Sequence, residues 1–229
     1  MVLGERTRMM SASRVRRALG GLCALVAFAI MTGAAHAHPH VWITAASKLV
    51  FAPDGTVTGV RHAWTFDEMF AAYAVQGLPQ QTKGVYTREE LSALAQTNIE
   101  SLKEYAYFTF AKEGDVGRQK KQKFNEPIDY YLDYKDGNLT LHFTLPFRTP
   151  FKVTKLALEV FDPSYFIDFQ MVKDHPVELV GAPANCKMGL VRPTDSSAPQ
   201  QKLSEADFMS GENANYGAMF ANKVTVECP

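Results

Sequence analysis

The sequence predicts an α+β fold, mainly antiparallel β-sheet with two or more helices inserted after an N-terminal hairpin. Three observations carry that prediction. Apolar residues alternate with period two in several short runs, turn-forming clusters separate those runs, and one stretch around Leu91 shows helical spacing instead.

Val41 to Phe51 is rich in Val, Trp, Ile, Thr and Leu. "PDGT" at residues 53–56 supplies a turn, and "VTGVRHAWTF" runs back as the second arm of a hairpin. Asp67 is placed to cap a short helix, "DEMFAAYAV", which Gly77-Leu78-Pro79 ends. "TREELSALAQTNIESLKEY" is the clearest helix. Thr87 and Glu90 form a capping box, and Leu91, Leu94, Ile99 and Leu102 make its apolar stripe. Beyond it the period returns to two. "YAYFTFAKE", "IDYYLDY", "NLTLHFTLPF", "KLALEVF" and "YFIDFQMV" read as strands, with "KDGN" at 135–138 as a hairpin turn. "RPTDSSAPQQ" at 192–201 reads as a loop, and "SEADFMSGENANYGAMFA" as helical in parts.

Ahead of the first strand, residues 1–37 read as a secretory signal. Five arginines precede an apolar run of about 14 residues, and Ala35-His36-Ala37 fits the small-x-small cleavage rule. The run is short of the roughly 20 residues of a membrane span. Cys23 follows Leu22, which is too bulky for a lipoprotein cleavage site. The expectation is a periplasmic protein with no stable membrane anchor after processing, its residues 38–229 forming a single domain.

Cleavage after Ala37 removes five Arg and one Glu from 24 basic and 24 acidic side chains, leaving 19 and 23. That balance gives no electrostatic reason to expect nucleic acid. Two cysteines stay in the mature chain, Cys186 and Cys228. In an oxidising compartment they pair most simply as one disulfide, since the close Cys-x-x-Cys spacing of thiol zinc sites is missing.

The junction "GAAHAHPHVWITA" packs His36, His38 and His40 into five positions. Cleavage after Ala37 makes His38 the first residue, with a free amine of pKa about 7.7–8.0 beside its imidazole. Amine and ring together chelate one ion, and His40 adds a second imidazole. Pro39 withholds an amide nitrogen, so the site depends on rings and amine. Imidazole suits zinc, copper, nickel and iron, and the affinity order among divalent ions favours copper. The competing reading is a frayed terminus with incidental histidines. A tetrahedral ion also needs further ligands. His62 on the returning strand, Asp67 at its end, and Asp162 and Asp168 in "FDPSYFIDF" are the candidates. Each has a plainer reading: Asp67 as helix cap, Asp162 as turn former, and Asp168 as an outward strand residue. His142 reads as a half-exposed sheet residue and His175 as a solvated turn residue.

"PQQTKGVYTREE" keeps the frame of a calcium loop, with Gly84 sixth and Glu90 twelfth. Its first, third and fifth places are Pro79, Gln81 and Lys83, which lack the oxygen donors calcium needs. No calcium is expected. Nucleophile elbows, phosphate loops, His-Glu-x-x-His and dinucleotide glycine patterns are absent from the sequence, so no enzyme is expected.

"HPHVWI" after a signal, "WTFDEMF", "GVYTREELSALA", "LPF" and "FDPSYFIDF" together resemble a family of periplasmic proteins of unknown function. Its members are often labelled periplasmic components of an uncharacterised ABC-type transport system. The resemblance implies metal traffic, because such proteins are commonly encoded beside nickel/cobalt-type or zinc transporters. His38 and His40 match the opening motif. Trp64, Phe66 and Asp67 match the second, and Asp162, Tyr165 and Asp168 the third. Many members carry an acidic stretch where this chain has Pro79–Lys83. The implied function is a metal-binding accessory to an inner-membrane transporter. Two rivals stand beside it: a copper protein using an N-terminal histidine brace, and a metal-independent interaction module.

Overall fold

The computed structural model describes residues 39–193 and 216–229. The expected leader, His38 and most of the 192–201 loop lie outside the described residues, which all belong to one compact unit, His38–Pro229. The architecture is α+β, as the alternation pattern predicts.

Two sheets carry the core. The first has six strands. β1 (Val41–Phe51) and β2 (Thr56–Phe66) form the expected hairpin, and β6 (Asn138–Lys152) pairs with β2 and with β5 (Ile128–Lys135). On its other edge β1 pairs in parallel with β8 (Ile167–Met171) and, further along, with β9 (Val177–Val180). The second sheet runs β10 (Lys187–Val191), β11 (Asn222–Glu227), β7 (Lys155–Val160), β3 (Thr109–Glu113) and β4 (Lys120–Gln122). Those two parallel pairings qualify the antiparallel expectation. Parallel neighbours need a crossover connection, and here β2 to β7 intervene between β1 and β8.

Period two becomes burial directly. In β1 Val41, Ile43, Ala45, Ser47, Leu49 and Phe51 are buried, while Trp42 and Thr44 on the other face are exposed. Opposite them β2 buries Val60, His62, Trp64 and Phe66, and β6 adds Leu141, Phe143 and Leu145. The second sheet faces this layer through Ala111, Leu158, Val160 and Val224. Trp64 anchors the interior edge-on to Phe143 and Phe169, each with centroids 4.8 Å apart. Edge-to-face pairs of this kind add about 1 kcal/mol apiece beyond area burial.

Helix α1 (Glu68–Ala74) starts on the Asp67 cap, whose Oδ1 accepts from the Phe70 N–H at 2.9 Å. The capping box also forms. Glu90 Oε2 accepts from the Thr87 N–H at 2.8 Å, and the Glu90 N–H donates to Thr87 Oγ1 at 3.2 Å. Regular helix α2 begins only at Ser92 and ends at Leu102, burying Ala95 and Ile99. The expected strand start "YAYF" is instead a 3-10 segment, Lys103–Phe108, with Ala106, Tyr107 and Phe108 all at positive φ. Tyr107 and Phe108 are driven into the core together, which no alternating strand permits.

Cys186 and Cys228 form a disulfide. It joins the segment entering β10 to the end of β11, as expected. Among the described residues no helix is long and apolar enough to cross a membrane.

Candidate functional site

Three distant motifs meet at one corner. Parallel pairing sets Val41 beside Ile167 and Trp42 beside Asp168, so "HPHVW" lies along "YFIDF". Antiparallel pairing sets Ile43 opposite Phe66, bringing the end of "WTFD" to the same place.

His40 is exposed at the entry to β1, yet its position is defined. Its N–H donates to the Phe166 carbonyl at 2.9 Å, and its ring stacks on Phe166 with centroids 4.8 Å apart. One residue further, Val41 N–H also donates to that carbonyl, at 3.3 Å. His38, two residues before His40, lies outside the described residues.

Asp67 ties the corner together. While Oδ1 caps α1, Oδ2 accepts from the Trp42 N–H at 3.0 Å, and the Asp67 N–H donates to the Trp42 carbonyl at 2.9 Å. Asp162 is buried and organises the β7–β8 loop. Its Oδ1 accepts from the N–H and hydroxyl of Ser164, and its Oδ2 from the N–H groups of Phe166 and Ile167, at 2.8–3.0 Å. With four donors on one carboxylate, the turn that starts at Asp162 is fixed in place. Asp168 is half-buried and accepts from Gln170 Nε2 at 2.9 Å.

His62 is drawn elsewhere. It is fully buried, with Nδ1 at 2.9 Å from Ser47 Oγ and Nε2 at 3.2 Å from Thr109 Oγ1. The Thr109 hydroxyl hydrogen is already directed to the Tyr107 carbonyl, so that oxygen accepts from Nε2–H. Nδ1 then accepts from Ser47. A neutral imidazole has one lone pair on a ring nitrogen, and here it is taken. Burial pushes the His62 pKa down to about 3, so the ring stays neutral. Its place is structural, bonding the first sheet to the second, and it leaves the ligand candidates.

His142 is half-buried, stacked on Tyr131 and 3.4 Å from Asp133, a sheet residue as expected. Burial lowers its pKa. Among the described residues no three His, Cys, Asp or Glu side chains gather as a ligand group. What gathers is a set of backbone-organising carboxylates around one exposed histidine. Sequence reasoning missed Phe166 as the platform for His40, and Ser47 and Thr109 as partners of His62. Phe166 stands within a quoted motif, but its stacking follows only from the parallel pairing.

A family model described as "Protein of unknown function (DUF1007)" matches residues 23–228. An uncharacterized protein of Haemophilus influenzae is 24% identical over 195 residues, covering 84% of this chain and 91% of the relative. An uncharacterized 15.5 kDa protein of Spirochaeta aurantia is 30% identical over 97 residues, covering 42% of this chain and 66% of its own length.

Proposed function

This chain belongs to the DUF1007 family of proteins of unknown function, and from that premise we propose that its exported form binds a divalent transition metal at the new N-terminus. The supporting observation is the fixed His40. Stacking and two backbone hydrogen bonds hold the start of β1 at an exposed corner, against which the opening residues are presented.

In this reading the cargo is zinc, nickel or cobalt. The His38 amine and imidazole supply two nitrogen donors and His40 a third. Pro39 limits the conformations between them. Asp168, opposite Trp42, is the nearest half-exposed carboxylate by register; Asp67 and Asp162 act as supports, their oxygens already accepting backbone donors. Three protein donors leave coordination positions open. An open site exchanges its ion more readily than a closed structural one, which suits transfer to an inner-membrane transporter. Coordination takes the place of protons on the donor nitrogens, so metal binding releases protons.

Mass analysis of the secreted protein should show His38 as the first residue. Calorimetry should then give about one bound ion per chain, and His38→Ala with His40→Ala should abolish binding. An affinity that survives both substitutions removes the proposal. Copper loading followed by electron paramagnetic resonance, with zinc in competition, separates the histidine-brace alternative.

A further inference from the structure

A cleft of about 660 Å³ opens where the chain after β4 reaches β6. There the two sheets are joined: Phe124 bridges to Phe147, and the Arg148 N–H donates to the Lys123 carbonyl at 2.7 Å. Phe110 and Phe161 line the space with their rings 4.8 Å apart, and Phe124 is a third aromatic residue of the lining. The volume falls within the usual range of small-molecule sites, roughly 300–1,000 Å³.

Charge sets this cleft apart. Lys112, Lys121, Lys123 and Arg148 line it, although residues 38–229 carry more acidic than basic side chains overall. Glu159 is the one carboxylate of the lining among the described residues, and it already accepts from Lys112 Nζ at 3.2 Å. Lys121, Lys123 and Arg148 have no carboxylate at ion-pair distance among the described residues. Antiparallel pairing sets Lys121 directly opposite Lys112, and like charges so placed destabilise a sheet. A backbone hydrogen bond ties Lys123 to Arg148 in the same way. Lysines on the edge strand β4 have a plain role in blocking pairing with another chain. That role covers Lys120 and Lys121. It does not explain why Lys112 from β3 and Arg148 from β6 converge on the same aromatic-lined space.

We propose that this cleft binds a small molecule carrying an anionic group, a carboxylate, phosphate or sulfonate, on an apolar ring-bearing body. The anion neutralises the two like-charge pairs, and the planar Arg148 guanidinium suits a carboxylate or phosphate in two parallel hydrogen bonds. The apolar body lies against Phe110, Phe124 and Phe161. A cation meets four like charges and a carboxylate that is already paired. A neutral molecule leaves those charges opposed. The inference is independent of the metal reading, because the cleft residues include none of the proposed ligands.

The test uses the processed protein in excess chelator, so failure of metal binding does not affect it. Anilinonaphthalene sulfonate is the probe, and N-phenyl-1-naphthylamine, the same ring system without the sulfonate, is its neutral counterpart. The anionic dye should give a saturable fluorescence rise at about one site per chain, and the neutral one should bind roughly tenfold more weakly or worse. Lys121→Gln, Lys123→Gln and Arg148→Gln together should weaken the anionic dye roughly tenfold or more. The urea midpoint of that variant should not fall, since it relieves opposed like charges. Lys83→Gln, Lys135→Gln and Lys173→Gln remove as much charge from exposed positions outside the cleft and should leave the affinity unchanged. An affinity untouched by the cleft substitutions overturns the proposal, as does equal weakening in the control triple or equal binding of the two dyes. The wild-type protein should not sediment with phosphatidylglycerol vesicles. Sedimentation that the cleft substitutions abolish would make this a membrane-facing surface and overturn the small-molecule reading.

Discussion

His62 shows how one titratable residue is committed to folding. The native ring is neutral because protonation would put a charge in the core and turn the acceptor Nδ1 into a donor against Ser47. Its pKa falls from an ordinary 6.5 to about 3. Between these values the unfolded chain binds more protons than the native one. The stabilisation is therefore complete above about pH 6.5 and is lost as pH falls toward 3. On going from pH 8 to 5, His62 should cost the fold about 2 kcal/mol. Urea unfolding at both pH values should show this loss in the wild type and a shallower one in His62→Gln. Equal losses in the two proteins would show that another group governs the acid response.

At the scale of elements, Asp67 is the joint between hairpin and helix. One oxygen caps α1, the other holds the Trp42 amide, and its own N–H returns to Trp42. Replacing a capping Asp by Ala typically costs about 1 kcal/mol. Losing the Trp42 contact adds a similar amount, so Asp67→Ala should destabilise by about 2 kcal/mol. Asp67→Asn keeps both acceptors on one amide only in part and should recover about half. Urea midpoints measure both, and an Asp67→Ala change within about 0.5 kcal/mol would make the residue an ordinary surface position. The Asp162 loop is pinned in a comparable way. Gly217 in the 3-10 turn Tyr216–Phe220 donates to the Pro163 carbonyl, and a Cβ there would come within 1.6 Å of the Asp162 carbonyl oxygen.

For the whole molecule, the disulfide is the long-range constraint on the second sheet. Cys186 and Cys228 lie 42 residues apart, and closing a loop of that size stabilises by about 4 kcal/mol in the chain-entropy account. Reduction should lower the urea midpoint accordingly, with Cys186→Ala plus Cys228→Ala behaving like the reduced protein. A reduced protein as stable as the oxidised one would place the stability of this sheet entirely in β7–β11 packing, where Leu156, Leu158, Val224 and Val226 are buried.

By itself the sequence determined the local devices of this protein. Alternation in "VWITAASKLVF" dictates which face of β1 is buried, because successive strand residues point to opposite sides. "PDGT" and "KDGN" dictate two hairpins, and Asp67 and Thr87–Glu90 act as caps, through contacts spanning only a few residues. The cysteine pairing follows from Cys186 and Cys228 being the two cysteines of the unit His38–Pro229. The tertiary structure decided what no local pattern encodes. Parallel pairing of β1 with β8 joins residues more than 120 positions apart, and it alone puts His40 on Phe166. The same long-range packing brings Thr109 to His62, turning a candidate ligand into a core hydrogen-bonding residue. It also gathers Trp64, Phe66, Phe70, Tyr105, Phe108 and Phe166 from separate elements around one cleft. Periodicity reports whether a side chain is buried; which partner it meets there depends on loop closures and sheet order, whose free energies are spread over the whole chain.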